Sequence, residues 1–426
     1  MSEQNDYART PVPDTATVGW YNIALIILGI GITLPVFLVG SELTLAQGIP
    51  GALGVFALSG AVVGVLLALT SLVGARTRLS TYMILEFCFG RTGAKLVNLI
   101  MAVVLVAWFA FTAEILGVAV ADALRANFAI DLPVPLYTLS GGVLMTLTAI
   151  FGFHVMERFS QIAVPLLALF MLYVLYLALQ QGDVTELLAK PGNGSMSFGV
   201  AVSTVIGTNI LMAVMAPDLT RFARTDRDAL LSISGLVIGY PLVMLASGLP
   251  SLVLGEVDIM KIMMGLGLSA VALVILVLST WTTNTVNLYS SILTLSTIAT
   301  RARGWVLGVV AAAAGLAATL GGVMEHFFEF VILMGVAATP VAGIYIADFF
   351  LIRRQSYQLA DLEREPAIKP AAFIAWGLGT LIGYLGSADL LTLSSIPALD
   401  SVTVAFLAYW GLARIGHFSR GPALPR

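Results

Sequence analysis

Runs of about twenty apolar residues recur along this chain, and they constrain its fold more than any other feature. Two of the cleanest lie at 52–71 and 159–179. A helix rises about 1.5 Å per residue and the hydrocarbon core of a bilayer is about 30 Å thick, so each run has the length of a membrane-crossing helix. Core helices of a water-soluble domain are shorter and keep a polar face. Composition closes that alternative: hydrophobic residues fill 59% of 426 positions and charged residues 11%, against about half and a quarter in soluble domains. The expected fold class is an all-α integral membrane protein.

Twelve spans are read, at 20–41, 50–73, 96–124, 134–153, 159–180, 197–217, 229–254, 267–297, 304–321, 327–350, 370–387 and 396–415. The basic residues test this count. With the N-terminus inside, Arg125, Lys190 and Lys261 are the only three of the 21 lysines and arginines that fall outside. That asymmetry obeys the positive-inside rule, and one missed span would scramble it. Both termini are therefore expected on the cytoplasmic side, most simply of a bacterial inner membrane. The polar segment 1–18 carries Asp6, Pro11, Pro13 and Asp14 and has no apolar signal-peptide core, so the first span is expected to be retained. A net charge of −3 gives no reason to expect nucleic acid, and Cys88, the single cysteine, excludes an intramolecular disulfide.

The segment 82–90, flanked by Arg78 and Arg91, is apolar but too short to span, and reads as an interfacial or re-entrant piece. The loop 181–196 separates spans 1–5 from spans 6–10. An odd number in each set makes the sets face opposite ways, so a five-plus-five inverted repeat is expected, with its site at mid-membrane. The chain then divides into a cytoplasmic tail (1–18), a first repeat (19–180), a second repeat (181–354) and spans 11–12 with the C-terminal tail (355–426).

Broken helices offer backbone groups to solutes, and glycine or proline within the first span of each half is the sequence mark of such a break. Span 1 holds Gly29, Gly31 and Pro35, and span 6 holds Gly207 and Asn209 with Pro217 closing it. Glycine is also common in membrane helices for close packing, but matching positions in both halves favour breaks in helices 1 and 6. Span 8 carries the densest polar run: Ser279, Thr280, Thr282, Thr283 and Asn284 around Trp281, then Asn287. Single hydroxyls can bond their own helix harmlessly. This concentration at membrane depth instead suggests hard oxygen donors for a small cation such as Na⁺, with Thr282 and Thr283 giving side-chain oxygens.

Trp108 lies near the middle of span 3, where tryptophan is unusual because its N–H prefers the wet interface. It is either simple packing or an apolar platform for a planar ring. Glu114 follows about 9 Å further along. A carboxyl at that depth marks a proton site or pathway, lies near enough to the outer face to be wet, or ties helices together. Asp218 with Arg221, and Asp348 with Arg353 and Arg354, read as interfacial ion pairs. His154, His326 and His417 show no metal-ligand spacing. No nucleotide loop, nucleophile elbow or carboxylate pair appears, which argues against an enzyme and against any cofactor.

Several motifs follow one another in a recognisable order: Pro11 and Pro13; Gly74 to Thr81 with Phe87 to Gly90; Trp108-Phe109; Asp218 to Phe222; Trp281 to Asn284; and Ala347 to Phe349. In this the chain resembles the nucleobase:cation symporter-1 family from residue 11 to about 354, while the last two spans match only in character. The resemblance implies a leucine-transporter-type fold and symport of a nucleobase or related planar heterocycle (pyrimidine, purine, hydantoin or vitamin-precursor type) with a cation. It implies that the substrate stacks on Trp108. It also implies a sodium site made of Gly29 and Ile32 in span 1 with Ser279, Thr282 and Thr283 in span 8. The chain departs from the family's cytosine carriers at Leu105, Asn209, Leu211 and Ser279, which stand where those carriers place polar or aromatic groups facing the base, and at Glu114, where they have a small residue. Changed donors and acceptors reject analogues strongly, so a planar ring is expected but not cytosine itself. A monomer in the bilayer suffices for this activity. The competing expectations are proton coupling through Glu114 and a non-transporting solute sensor, which the short polar ends disfavour.

Overall fold

A computed structural model describes Tyr7 and residues 9–150, 153–181, 184–299 and 301–418. Residues 1–6, Ala8, Arg420 and Arg426 lie outside the described residues, as do the side chains of His154, Arg158 and His417. The described chain is all helical. In chain order the helices are α1 (Trp20–Gly31), α2 (Leu34–Thr77), α3 (Thr81–Phe89), α4 (Gly93–Phe128), α5 (Val134–Ile150), α6 (Phe153–Gln181), α7 (Val184–Ala189), α8 (Phe198–Val214) and α9 (Ala216–Thr220). They continue with α10 (Asp226–Ser232), α11 (Ser234–Leu254), α12 (Ile259–Gly265), α13 (Ser269–Ile298), α14 (Gly304–Leu320), α15 (Phe327–Ala337), α16 (Thr339–Ala347), α17 (Pro370–Ser387) and α18 (Pro397–Phe418). Among the described residues, seven stretches are long and apolar enough to cross a membrane, including Leu34–Thr77, Gly93–Phe128 and Val323–Ile352, and four further apolar helices are shorter.

Chain chemistry explains where the long helices divide. Pro35 has no N–H, so the Gly31 carbonyl loses its ladder donor. The Thr33 N–H turns back to Gly31 O instead (3.1 Å). Ile32 takes φ −87°, ψ 79°, an inverse γ-turn. Thr33 is extended and caps α2, its Oγ1 accepting from the Val36 N–H at 3.5 Å. Further on, Gly48 bends α2 with φ +68°, and a Cβ there would lie 2.8 Å from Lys190 O. The polypeptide from Leu34 to Thr77 is thus two helical lengths joined at Gly48, which lies in the interval between the expected spans 20–41 and 50–73.

The helices sort into two sets. In one, α2 packs on α8, α9 and α11, and α1 packs on α11. In the other, α4, α5, α13 and α14 pack on one another around Phe109, Leu116, Leu288 and Leu316. Helix α6 touches both sets, and α1 crosses to touch α13. The α15–α18 group packs on itself and against α8. Lipid tails are as apolar as leucine, so contact between these helices depends on packing rather than on escape from water.

At the end of α16 the chain makes a π-turn over Asp348–Ile352. Asp348 is buried there and accepts from Tyr409 Oη (2.6 Å), Tyr357 Oη (2.7 Å) and Arg353 Nε (3.1 Å). Arg353 also pairs with Glu365 and stands over the Phe87 ring. Burial opposes the Arg353 charge, yet Asp348 and Glu365 together raise its pKa above the ordinary arginine value. The expected pairing of Asp348 with arginine holds for Arg353, whereas Arg354 is exposed with a left-handed φ of 50°. The short helix α3 is not a span. Its buried Cys88 thiol lies 3.5 Å from Tyr357 Oη, and burial pushes that thiol's pKa well up.

Candidate functional site

The break between α1 and α2 frees backbone oxygen. In a continuous helix the N–H groups of Thr33 and Val36 would bond Gly29 O and Ile32 O, but here they go to Gly31 O and Thr33 Oγ1. The carbonyls of Gly29 and Ile32 are thereby released from the ladder at the C-terminal end of α1, a helix that packs on α13 through Ile26 and Ile30.

The polar run on α13 divides by face. Trp281 Nε1 donates to Thr148 Oγ1 on α5 (3.0 Å), and the fully buried Asn284 donates through Nδ2 to Phe109 O on α4 (3.3 Å). These two fasten α13 within its own set. Val286 lies on the opposite side, in an apolar cluster with Ile26 and Ile30 of α1. Residues three and four apart share a helix face, so Thr282 and Thr283 stand one turn from Val286 on the side that meets α1. Both are buried, as is Ser279. The hydroxyls of Thr282 and Thr283 donate to Ser279 O (2.7 and 3.2 Å). Their hydrogens point into the helix, which leaves oxygen lone pairs to the outside. The same bonds place two hydroxyl donors on the Ser279 carbonyl.

Trp108 is buried on α4, and its ring meets Phe330 (5.5 Å, 72°) and Phe327 (6.1 Å, 83°) of α15 edge to face. Phe111 joins the same two rings. The sequence reading missed these α15 aromatics, since neither carries a polar signal. Leu105 and Leu211 are buried apolar side chains. Asn209 donates from Nδ2 to Val205 O (2.7 Å), while its Oδ1 has no hydrogen-bond partner among the described residues. It lines a cavity of about 10 Å³ with Ser59, Tyr240 and Met244, whose walls come from α2, α8 and α11 rather than from α4. Asn209 and Trp108 are thus not brought together in that cavity.

Span 6 is interrupted later than the sequence reading placed it. Helix α8 runs unbroken through Gly207 and Asn209 to Val214, and the break is at Met215 (φ −98°, ψ 10°). Gly207 serves close packing instead: a Cβ there would lie 2.0 Å from Val331 O of α15. The break falls two residues before Pro217, whose ring and missing N–H cannot serve the Ala213 carbonyl; the Tyr345 hydroxyl donates to that carbonyl instead (3.3 Å). Glu114 is half-buried and accepts from the Met324 N–H at 3.3 Å, tying α4 to the turn before α15. Asp218 Oδ1 accepts from the Thr81 N–H at the start of α3 (2.9 Å). Buried Arg221 donates to Asp218 O (3.2 Å) and Tyr7 O (2.7 Å).

Long apolar helices and a broken first helix belong to an integral membrane protein, and the family match places it in the permease class. Residues 11–410 match the family model described as permease for cytosine/purines, uracil, thiamine, allantoin. The chain belongs to that family, the nucleobase:cation symporter-1 family, and resembles cytosine permease within it. It is 28% identical to cytosine permease of Escherichia coli (strain K12) over 387 residues, 90% of each chain. It is 26% identical to hydantoin permease of Microbacterium maritypicum over 379 residues, 83% of this chain and 77% of that one. Among solved structures, Mhp1, a nucleobase-cation-symport-1 family transporter in a closed conformation with bromovinylhydantoin bound, superposes with a TM-score of 0.85 at 20% identity, covering 97% and 96% of the two chains. A Na⁺-coupled sialic acid symporter gives 0.72 at 12% identity, covering 97% and 92%. The fold is that of the leucine-transporter group of all-helical carriers.

Proposed function

We propose that the protein is a secondary active transporter that imports a nucleobase or related planar heterocycle by symport with Na⁺, through alternating access. What supports this reading is the break at Ile32–Thr33 on a helix that packs on α13, together with Thr282 and Thr283 on the α13 side that carries Val286 against α1. Released carbonyls at Gly29 and Ile32 and acceptor-only hydroxyls suit a small hard cation, and broken helices are where such carriers hold their coupling ions. Trp108 is the residue on which the substrate ring stacks, once the edge contacts of Phe327 and Phe330 move aside. The cation and the ring each stabilise one conformation more than the other, which is what couples their movements.

On this reading twelve spans cross a bacterial inner membrane with both ends cytoplasmic, spans 1–5 and 6–10 form the two inverted repeats, and a monomer is sufficient. Glu114 acts as a tie to the Met324 backbone rather than as a proton carrier. The direct test is a thermal-shift screen of purified protein against nucleobases, hydantoins, vitamin precursors and amino acids, with and without Na⁺. A planar heterocycle that stabilises the protein only in Na⁺ is the expected result. Stabilisation by amino acids alone, or by heterocycles to the same extent without Na⁺, would overturn the proposal.

A further inference from the structure

Two cavities lie next to each other at the end of the molecule where α3, α9 and the end of α13 meet. The inner one, of about 20 Å³, is lined by Thr81, Asn98, Asp218, Arg221, Thr294 and Thr297, among others. The outer one is an open vestibule of about 450 Å³ lined by Arg9, Glu86, Arg91 and Lys95. Tyr82 and Thr297 line both. The Arg9 guanidinium donates to Ser296 O (3.2 Å) and Thr297 O (2.9 Å), holding the N-terminal segment across the end of α13 beside Tyr82.

The inner cavity is polar in a way that its own walls do not satisfy. Asn98 is 3% exposed, and its Nδ2 has no hydrogen-bond partner among the described residues. A buried donor left empty is costly, whereas a cavity of this size holds one water. The Thr294 hydroxyl donates to Ser290 O (2.7 Å) and that of Thr297 to Thr294 O, so both present acceptor oxygens. Asp218 adds carboxylate oxygen. A water would take the Asn98 hydrogen and give its own to these acceptors. A cation is a poorer occupant, because the Arg221 guanidinium shares the cavity.

The same helix face links this chamber to the site above. Thr294 is eleven residues beyond Thr283, close to three full turns and about 16 Å along α13. We propose that the chamber is a water-binding site on the inner half of the solute path, and that the Tyr82 ring is the gate separating it from the vestibule. This rests on the transport reading, since the path it closes is the one that substrate and cation would take inward. Displacement of the ring joins the two cavities and admits bulk water to the Thr283–Thr294 face of α13.

The gate is tested by thiol labelling, which needs no substrate and is therefore read independently of the transport proposal. In a Cys88→Ser background, Thr294→Cys marks the chamber and Lys95→Cys, on the exposed vestibule wall, marks the vestibule. With a cationic, membrane-impermeant methanethiosulfonate on purified protein, Tyr82→Ala or Tyr82→Leu should speed labelling at position 294 at least tenfold, and Tyr82→Phe should leave it slow. Labelling at position 95 should be unchanged throughout, which also reports that the variants are folded. Equal rates at position 294 with and without the ring overturn the gate. Bound water is tested by radiolytic hydroxyl labelling: Met101, in the chamber wall, should oxidise several-fold faster than the equally buried Met145. Equal oxidation of the two would show a dry chamber and overturn the water site.

Discussion

Replacing both Thr282 and Thr283 by valine isolates the cation site from the packing around it. Valine keeps the β-branch and nearly the volume of threonine and removes only the hydroxyl. Each hydroxyl donates to Ser279 O, at 2.7 and 3.2 Å. Losing these local bonds leaves that carbonyl a backbone donor, so the cost to folding should stay below about 1 kcal/mol per site. The cost to cation binding is larger. An oxygen bound to a charged partner is worth about 1.5–3 kcal/mol, or roughly 10- to 150-fold in affinity. The single variants should raise the Na⁺ concentration for half-maximal uptake by that factor, and the double variant should abolish Na⁺-dependent uptake in proteoliposomes. Its thermal unfolding midpoint without Na⁺ should stay within a few degrees of the parent, while the stabilisation normally given by Na⁺ should vanish. Alanine at both positions should act alike but cost more stability. Full sodium coupling in the double valine variant would refute the assignment of these oxygens to the site.

Other predictions follow from single contacts. Trp108→Phe should weaken heterocycle binding several-fold with little change in Na⁺ response, measured by thermal shift, because a smaller π-face remains where the indole stood. Glu114→Gln preserves an acceptor for the Met324 N–H, so uptake should keep its pH dependence; a flattened pH profile would restore proton coupling through this residue. Asp348→Leu strands the hydroxyls of Tyr357 and Tyr409 and removes one of the two carboxylates of Arg353, and should destabilise the protein by about 3 kcal/mol or more. Cys88 should resist thiol reagents in the folded protein: burial raises its pKa, so the reactive thiolate is suppressed at neutral pH and emerges only well above it or on unfolding.

What the sequence made legible was whatever rests on period, length or a covalent peculiarity. Apolar runs of fixed length identified the membrane helices, and Pro35, which has no N–H, marked the place where α1 must stop. Span 6 shows the limit of that logic. Gly207 and Pro217 are both helix breakers in isolation, yet Gly207 lies against the Val331 carbonyl of α15 and only Pro217 ends the helix. Which use a glycine serves depends on a neighbour more than a hundred residues away, and no local pattern carries that information.

The polar run of α13 shows the same division within the site. Residue type alone grouped Ser279 to Asn284 as one oxygen-rich patch. The helix turns about 100° per residue, so consecutive members face different partners: Trp281 and Asn284 hold α5 and α4, while Thr282 and Thr283 share the side of Val286, which packs on α1. The hydrogen bonds then decide chemistry that spacing could not. Both hydroxyl hydrogens are directed at Ser279 O, so the two hydroxyl oxygens are left as acceptors. The donor set proposed for Na⁺ thus draws on two elements whose polar groups are redirected by their own backbones: a proline-imposed γ-turn after α1 and a carbonyl on α13 that accepts from two hydroxyls.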